Sequence, residues 1–538
     1  MTTHLPSKPG AVSRLCAVAA ALLLVVGGSS AALAQPKQGG VLRVAERFEP
    51  VGFDTLAKKK ASVYTQVALS FTHNRLFKYS PAGDVVPDLA ASVSRPNATT
   101  YVVTLRKGVR FHAKPPVNGR EFTSEDVKFT FERLAGSPEE RLFPTLKRVT
   151  TPDRYTVQFE LSAPFSAFVS NLAATTMFIY AKDAGKPTAD GGRDYTSPET
   201  VIGTGPFMLK EYREKQRIVY ERNPAYFESG RPYLDGVETY FIPDPSVQLA
   251  ALRTGKVDII TATGSQGLPH ALAAEVRSIP GARLLRQSSF QSSENVIGRL
   301  DQKPWSDLRV RQAVSMAIDR PALMKALFPE GANLISGPIP LTSRFFVAPD
   351  KLGATAAGYR HDPAAARKLL AEAGYPNGFK TKLYTTVGYG SDYLSRTELL
   401  KDMLSKIGID ASIVPQEYPV WISKTYKGDY DGMVHIPSWT LGDEDEWLAT
   451  YTPGDTRNQI HINEPGVTNL VRAIREAPSD QARAKGIEEF VQMFHANLWR
   501  VFLPAPAILT VTSQRVKGYE VSLRGYSWPA VLVNVSVE

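Results

Sequence analysis

Hydrophobic and polar positions recur along this chain with two periods, about 2 and about 3.6 residues, and the architecture changes where the period does. Gly40-Val41-Leu42-Arg43-Val44-Ala45 follows a Gly-Gly turn and reads as a first strand. After Phe53-Asp54-Thr55-Leu56, a helix-like run passes through Tyr64, Val67, Ala68 and Phe71 to Leu76. From Tyr79 to about Tyr195 alternation takes over. Tyr101, Val103 and Leu105 alternate, as do Tyr155, Val157, Phe159 and Leu161, and each set predicts a half-buried strand. Between them Thr123-Ser124-Glu125-Asp126 starts a helix with Val127, Thr130, Phe131 and Leu134 on one face.

The stretch from Val201 to Asp258 is the most heavily punctuated. Gly203-Thr204-Gly205-Pro206 predicts a tight turn, two strands joined by Pro and Gly follow, and a short helix ends at Gly255. Farther on, Val310, Ala313, Val314, Ala317 and Ile318 recur at helical spacing; Pro321 stops that helix and Asp319 can cap the next. Its arginines, Arg309, Arg311 and Arg320, read as packing and solvated charge. An α/β rhythm follows. Asp362-Pro363 opens a helix that Gly374 ends, Phe379 to Thr386 reads as a strand, Leu400, Met403, Leu404 and Ile407 form a helix face, and Ile409, Ala411 and Ile413 alternate. Strand, helix and strand within so short a span predict a right-handed crossover and a parallel pair. Leu498 to Val511 is a final apolar stretch.

Composition bounds the rest. The 538 residues are 43% hydrophobic and 22% charged, which suits a globular chain with several cores, since one core rarely outgrows roughly 250–300 residues. Lys8 and Arg14, the apolar run Leu15 to Val26 and Ala32-Leu33-Ala34 predict a secretory signal peptide over residues 1–34, cleaved after Ala34. The run is shorter than the ~20 residues of a membrane span, and without a twin arginine the general secretory route is expected. Cys16, the only cysteine, lies at the start of that run and not at its cleavage end, so no lipid tether is expected. The mature chain then has no disulfide, thiol nucleophile or thiolate metal site. Its formal charge falls from +10 to +8 with the loss of Lys8 and Arg14. Basic residues are scattered, with Lys58-Lys59-Lys60 the one tight run, and no nucleic-acid partner is expected.

Several blocks carry a resemblance in order. They are Gly203-Thr204-Gly205-Pro206-Phe207, Arg222-Asn223-Pro224-Ala225-Tyr226-Phe227, Arg231-Pro232-Tyr233-Leu234-Asp235-Gly236-Val237 and Leu252-Arg253-Thr254-Gly255-Lys256-Val257-Asp258. Thr104 to His112 with Phe122 to Val127, Asp307 to Arg320, Tyr359 to Gly378 with Ile407-Gly408-Ile409, and Arg515-Val516-Lys517-Gly518-Tyr519 add to them; His112 reads as surface or turn structure. Together they resemble the extracytoplasmic solute-binding proteins of the peptide/nickel family that serve ABC importers. The resemblance implies an α/β fold, a two-lobed periplasmic binding protein of type II with a smaller inserted α+β domain. It places lobe I in residues 35–79, 196–290 and 500–538, the inserted domain in 80–195 and lobe II in 291–499, with two crossings forming a hinge. It implies a periplasmic monomer that closes on a small solute and presents it to membrane permease subunits, with no cofactor and no ATP site of its own.

Candidate chemistry gathers in Ser438-Trp439-Thr440-Leu441-Gly442-Asp443-Glu444-Asp445-Glu446-Trp447. Tryptophan beside carboxylates can hold a cation by charge pairing and cation–π attraction. In peptide-binding members of the family an aspartate shortly after such a tryptophan pairs with the peptide's α-amino group; Asp443 is its match here, with Leu441 one residue more than the dipeptide-type pattern. Asp443 with Glu446 also reads as a helix-capping box. Trp439, Asp443 and Asp445 are therefore candidate ligand contacts. Trp421 and Tyr389 join them as residues expected on loops at strand ends, where α/β sheets place ligands. Phe53 and Tyr64 follow the first strand, whose loop faces the ligand in the family; core packing is their other reading. His435 and His461 have no second ligand at metal spacing, so no metal is expected, although nickel- and haem-linked members exist in the family.

No G-x-S-x-G, H-E-x-x-H, Walker A or G-x-G-x-x-G motif is present. Binding without turnover is expected, of a short peptide or amine-bearing compound, with an oligosaccharide, an opine or a nickel or haem complex as alternatives. A secreted hydrolase with a scattered carboxylate pair is the remote one.

Overall fold

The structure is a computed structural model describing residues 37–58, 62–189, 191–261, 267–287, 294–333, 337–339, 341, 343–389, 391–437, 443–521 and 531–538. The first strand is β1 (Val41–Glu46), followed by helix α1 (Val63–Ser70). Next come β2 (Ala90–Asn97), β3 (Thr100–Leu105), α2 (Ser124–Glu132), β4 (Leu146–Asp153), β5 (Thr156–Leu161) and α3 (Phe168–Leu172). The chain continues through β6 (Phe207–Arg213), β7 (Arg217–Arg222), β8 (Gly236–Phe241), α4 (Pro245–Arg253), β9 (Ile259–Ile260) and β10 (Arg283–Gln287). Then follow β11 (Glu294–Gly298), α5 (Leu308–Ala317), α6 (Arg320–Leu327), α7 (Pro363–Glu372), β12 (Phe379–Thr386), α8 (Ser391–Ser405) and β13 (Ile409–Gln416). The last are α9 (Tyr418–Ser423), β14 (Met433–Pro437), α10 (Asp445–Ala449), α11 (Pro465–Arg475), α12 (Asp480–Asn497), β15 (Val501–Phe502) and β16 (Ile508–Thr512).

The first large sheet has the order β6-β7-β8-β1-β9-β16-β10. Strand β1 is parallel to both neighbours, and its Leu42, Val44 and Ala45 are fully buried, the near-continuous apolar run that a central parallel strand requires. The Gly-Thr-Gly-Pro turn owes its glycines to close approach. A Cβ on Gly203 would lie 2.0 Å from the Thr72 carbonyl oxygen, and one on Gly205 2.5 Å from the Thr72 carbonyl carbon. The Gly205 N–H donates to that carbonyl at 2.9 Å, and the His112 N–H donates to the Gly203 carbonyl at 2.9 Å. His112 is thus buried against the turn and not at the surface, because its ring nitrogens bond the turn's backbone: Nδ1 accepts from the Gly203 N–H at 3.3 Å and Nε2 lies 3.2 Å from the Gly205 carbonyl.

Strands β2 to β5 form a separate antiparallel sheet of order β2-β3-β5-β4. Helix α2 starts in a capping box between Thr123 and Asp126. Tyr101, Val103, Val157 and Phe159 of this sheet belong to the same apolar cluster as Leu42, Phe207 and Val237 of the first, so one core runs through both.

The second large sheet has the order β13-β12-β14-β11-β15, with β12 parallel to β13 and β14. Helix α8 provides the crossover, and Gly374 and Gly408 end the helical segments before β12 and β13 at φ of 94° and 88°. Val296 and Met433 pack into one cluster while their neighbours Ile297 and Val434 pack into another, so both faces of this sheet are covered. The arginines in and after α5 are structural. Arg320, fully buried, donates to the carbonyls of Phe502, Ser315 and Tyr359 at 2.9, 3.0 and 3.1 Å, and Arg311 donates to those of Asn497 and Trp305. The chain passes between the two large sheets twice, from β10 to β11 and from β15 to β16.

Candidate functional site

Parallel strands end together, and open α/β sheets bind ligands beyond those carboxyl ends. In the first sheet β1, β8 and β9 end at Glu46, Phe241 and Ile260; in the second β12, β13 and β14 end at Thr386, Gln416 and Pro437. Among the described residues the exposed large apolar side chains are Val41, Phe48, Val51, Val247, Val387, Tyr418 and Val420. All but Val41 and Val247 lie within five residues of the end of β1, β12 or β13. Apolar side chains left in water at the ends of both sheets mark the candidate cleft.

At the first large sheet the loop after β1 is held from beneath. Glu46 accepts from the Thr261 hydroxyl at 2.7 Å; Glu49 accepts from the Tyr212 hydroxyl at 2.9 Å and the Lys215 N–H at 2.8 Å. The Phe53 N–H donates to the Thr196 carbonyl at 3.1 Å, and its buried ring meets Tyr212 edge to face at 5.3 Å. Thr55 donates to the Thr176 carbonyl at 2.6 Å, and Asp54 pairs with Arg133. Phe53 therefore supports the loop. Tyr64, half-buried, sets its ring at 5.5 Å from Phe48, and Phe48 is the exposed member of that pair.

On lobe II Tyr389 meets Tyr393, Tyr418 and Trp421 edge to face at 5.1, 5.7 and 6.5 Å. Trp421 is not on a loop at a strand end: Pro419 opens the short helix α9 there, and the indole is fully buried in the lobe's core. Trp439 lies outside the described residues.

The acidic run is buried and internally paired. Both Asp443 oxygens accept from Arg483, one of them at 3.1 Å from Nη1, and the Asp445 N–H donates to Asp443 at 2.9 Å. Burial would raise the Asp443 pKa, but the Arg483 charge and hydrogen bonds outweigh it and hold the carboxyl below its ordinary value. Asp445 accepts from Arg475 at 2.6 and 3.2 Å, yet burial still pushes its pKa up. Glu446 pairs with Arg141 and Arg457, Glu444 stands 4.0 Å from Arg483, and burial raises Glu139 beside Arg141. Glu139, Asp443, Glu444, Asp445, Glu446 and Asp455 outnumber Arg141, Arg457, Arg475 and Arg483 by two.

The same network joins α10, α11 and α12 to the unit built on β2 to β5. Arg141 reaches Glu446 across the boundary, the Asp443 N–H donates to Asn171 Oδ1 at 3.3 Å, and Ser166 donates to the carbonyls of Arg475 and Ile474 at 2.7 and 3.0 Å. His435 is buried against Tyr393, with Nε2 3.2 Å from Glu294 and Nδ1 2.9 Å from Thr397 Oγ1, and burial lowers its pKa. His461 Nε2 lies 2.9 Å from the Gly428 carbonyl. Among the described residues no three His, Cys, Asp or Glu side chains stand close enough to hold a metal.

The structure thus brings Tyr389 to Trp421 and Asp443 to Asp445, and sets Phe53 against Tyr212 and Tyr64 against Phe48. Phe48, Val387, Tyr418 and Val420 escaped sequence reading; their position just past predicted strand ends was the available signal.

Residues 84–459 match the family model described as bacterial extracellular solute-binding proteins, family 5 Middle. Di/tripeptide-binding protein 3 of Pseudomonas aeruginosa is 28% identical over 81% of this chain and 84% of its own. The peptide-complexed periplasmic binding protein DppA of Helicobacter pylori superposes with a TM-score of 0.76 at 24% identity, covering 93% of this chain and 99% of its own. The periplasmic binding protein AgaA of A. tumefaciens R10, in complex with agropinic acid, does so with a TM-score of 0.74 at 26% identity, covering 93% and 99%. With exposed apolar side chains at the carboxyl ends of both large sheets and the family's pattern spanning most of its length, the chain belongs to the bacterial extracellular solute-binding proteins of family 5.

Proposed function

We propose that this chain is the periplasmic receptor of an ABC importer, a monomer that captures a short peptide or another amine-bearing solute between two lobes and hands it unchanged to the permease. The observation that carries the reading is the placement of Phe48 and Val51 on one lobe and Val387, Tyr418 and Val420 on the other, all past carboxyl strand ends and left exposed. Closure would bury them against solute, and it is favoured only by as much as the solute binds the closed form better. Asp443 is the sequence match to the aspartate that pairs with the amine in the family, and Arg483 would have to share it with the solute. Similarity to the di/tripeptide-binding protein supports peptide cargo.

Export by the general secretory route, with cleavage after Ala34, rests on the sequence of residues 1–34, which lie outside the described residues. Residues 80–195 act with lobe I as the inserted domain, and lobe II (291–499) moves against them.

Refolding after denaturation strips carried solute. Calorimetry of the refolded receptor against a dipeptide and tripeptide pool is expected to show saturable binding, with an oligosaccharide pool flat and the recovered peptides chemically intact. A flat peptide titration with clear sugar binding would overturn the cargo; products at catalytic ratio would overturn the receptor role. An opine is the second reading, supported by the similarity to the agropinic-acid complex, and belongs in the same titration.

A further inference from the structure

We propose that Arg47 anchors a carboxylate of the solute on the lobe I side of the cleft, a proposal that rests on the receptor reading above and adds an anionic group to the solute it describes. Arg47 is the first residue past β1, at the point where the parallel strands end. Its Nε is shielded from solvent and has no hydrogen-bond partner among the described residues. The acids flanking it in sequence are engaged elsewhere, Glu46 with Thr261 and Glu49 with Tyr212 and Lys215.

Arg75, Arg133 and Arg483 also leave one shielded guanidinium nitrogen unbonded, but each is held within the chain through its other nitrogens. Arg75 donates to the Thr175 carbonyl at 2.9 Å, Arg320 to three carbonyls, Arg483 to Asp443 and Arg133 to Asp54. A partly buried cation with a donor left over is costly, and such a donor calls for a partner from outside the chain.

The surroundings define that partner. A guanidinium fork matches the two oxygens of a carboxylate. The Arg47 guanidinium lies 6.0 Å from the Phe48 ring, and Phe48 and Val51 stand exposed beside it, so the anionic group would carry an apolar substituent. The loop is already braced by Glu49, Phe53 and Thr55, so little ordering is needed on capture.

The test uses the refolded mature chain and two probes, a dipeptide mixture with free C-terminal carboxylates and the same mixture C-terminally amidated. Wild type is expected to prefer the free acids. Arg47→Gln should weaken the free acids at least ~30-fold, in the range for truncating a desolvated charge pair, and change the amides less than about threefold. Arg47→Lys should restore part of the loss, and unchanged amide binding also shows that the variant is folded. Equal binding of acids and amides by wild type, or free-acid binding by Arg47→Gln equal to wild type, overturns the proposal.

If wild type binds neither mixture, the peptide reading fails and the solute released by denaturing natively purified protein decides about Arg47. A carboxylate-bearing solute carried by wild type and lost from Arg47→Gln supports the anchor; equal loading of the two, or a solute without a carboxylate, overturns it.

Discussion

Replacing Asp443 with asparagine separates two uses of one carboxylate. In the structure Asp443 is 2% exposed and Arg483 1% exposed, and the guanidinium spans both carboxylate oxygens. Removing one partner of a buried pair typically costs about 3–5 kcal/mol, because the remaining charge has neither water nor counterion. Glu444, 4.0 Å from Arg483, relieves part of this and sets the expectation near ~3 kcal/mol. For a lobe of roughly 200 residues that corresponds to a fall in melting temperature of about 6–12 °C in the transition assigned to lobe II. The Asp443→Asn/Arg483→Met double variant removes both charges at similar volume and should return to within ~1 kcal/mol of wild type. The pKa of Asp443 lies below its ordinary value when folded, so its contribution is present above the unfolded carboxylate's pKa and disappears as pH falls through the folded one. Melting at neutral pH, with and without solute, therefore reads the pair at full strength. An Asp443→Asn variant with unchanged melting of the solute-free protein and abolished binding would refute the reasoning, since the carboxylate would then serve the solute and not Arg483.

Phe48→Ala should lower solute affinity about five- to tenfold and leave melting unchanged. The ring is 46% exposed without solute, so roughly half of a phenylalanine's burial, ~1 kcal/mol, remains to be gained on binding; wild-type affinity in calorimetry would remove Phe48 from the cleft. Acid should destabilise the fold below pH ~6.5, because burial lowers His73 to about 3 and His112 and His495 to about 4. The unfolded chain takes up these protons first, so each histidine removes ~1.4 kcal/mol per pH unit below ~6.5, while Glu139 and Asp445, raised by burial, act in the opposite direction. Urea midpoints that stay flat from pH 7 to 5 would contradict this. Arg141→Ala should open the solute-free receptor, since Arg141 bridges to Glu446 across the boundary between lobe II and the rest; an unchanged radius of gyration in solution scattering would show that the bridge does not hold the lobes.

What the sequence made legible depended on where each residue finds its partner. Thr123 caps α2 through Asp126, Asp319 caps α6 through the Ala322 N–H and Asp362 caps α7 through the Ala365 N–H, all within three residues, so spacing alone announces them. Period carried the parallel pair β12 and β13 for the same reason: alternation and helical spacing report a neighbouring face within one short span. The acidic run shows where this logic stops. Asp443 and Glu446 have local spacing for a capping box, and the Glu446 N–H does donate to the Asp443 carbonyl at 3.1 Å, but the carboxylates are claimed by Arg483 and Arg141, 40 and 305 residues away. No periodicity encodes such a distance, so a run that reads as an open cation site folds into a neutralised one. Trp421 fails in the same way, since the chain announces an aromatic near a strand end and only the packing of α9 decides that it turns inward. Phe48 and Arg47 mark the opposite limit. Each lacks a full set of partners in the fold, the ring exposed and the guanidinium Nε unbonded among the described residues. Residues whose partner lies within a few positions are written in the sequence, and those whose partner lies across the fold are written in the coordinates. A receptor's own contacts belong to neither group: their partner is the solute, and they appear in the structure as side chains the fold has left unfinished.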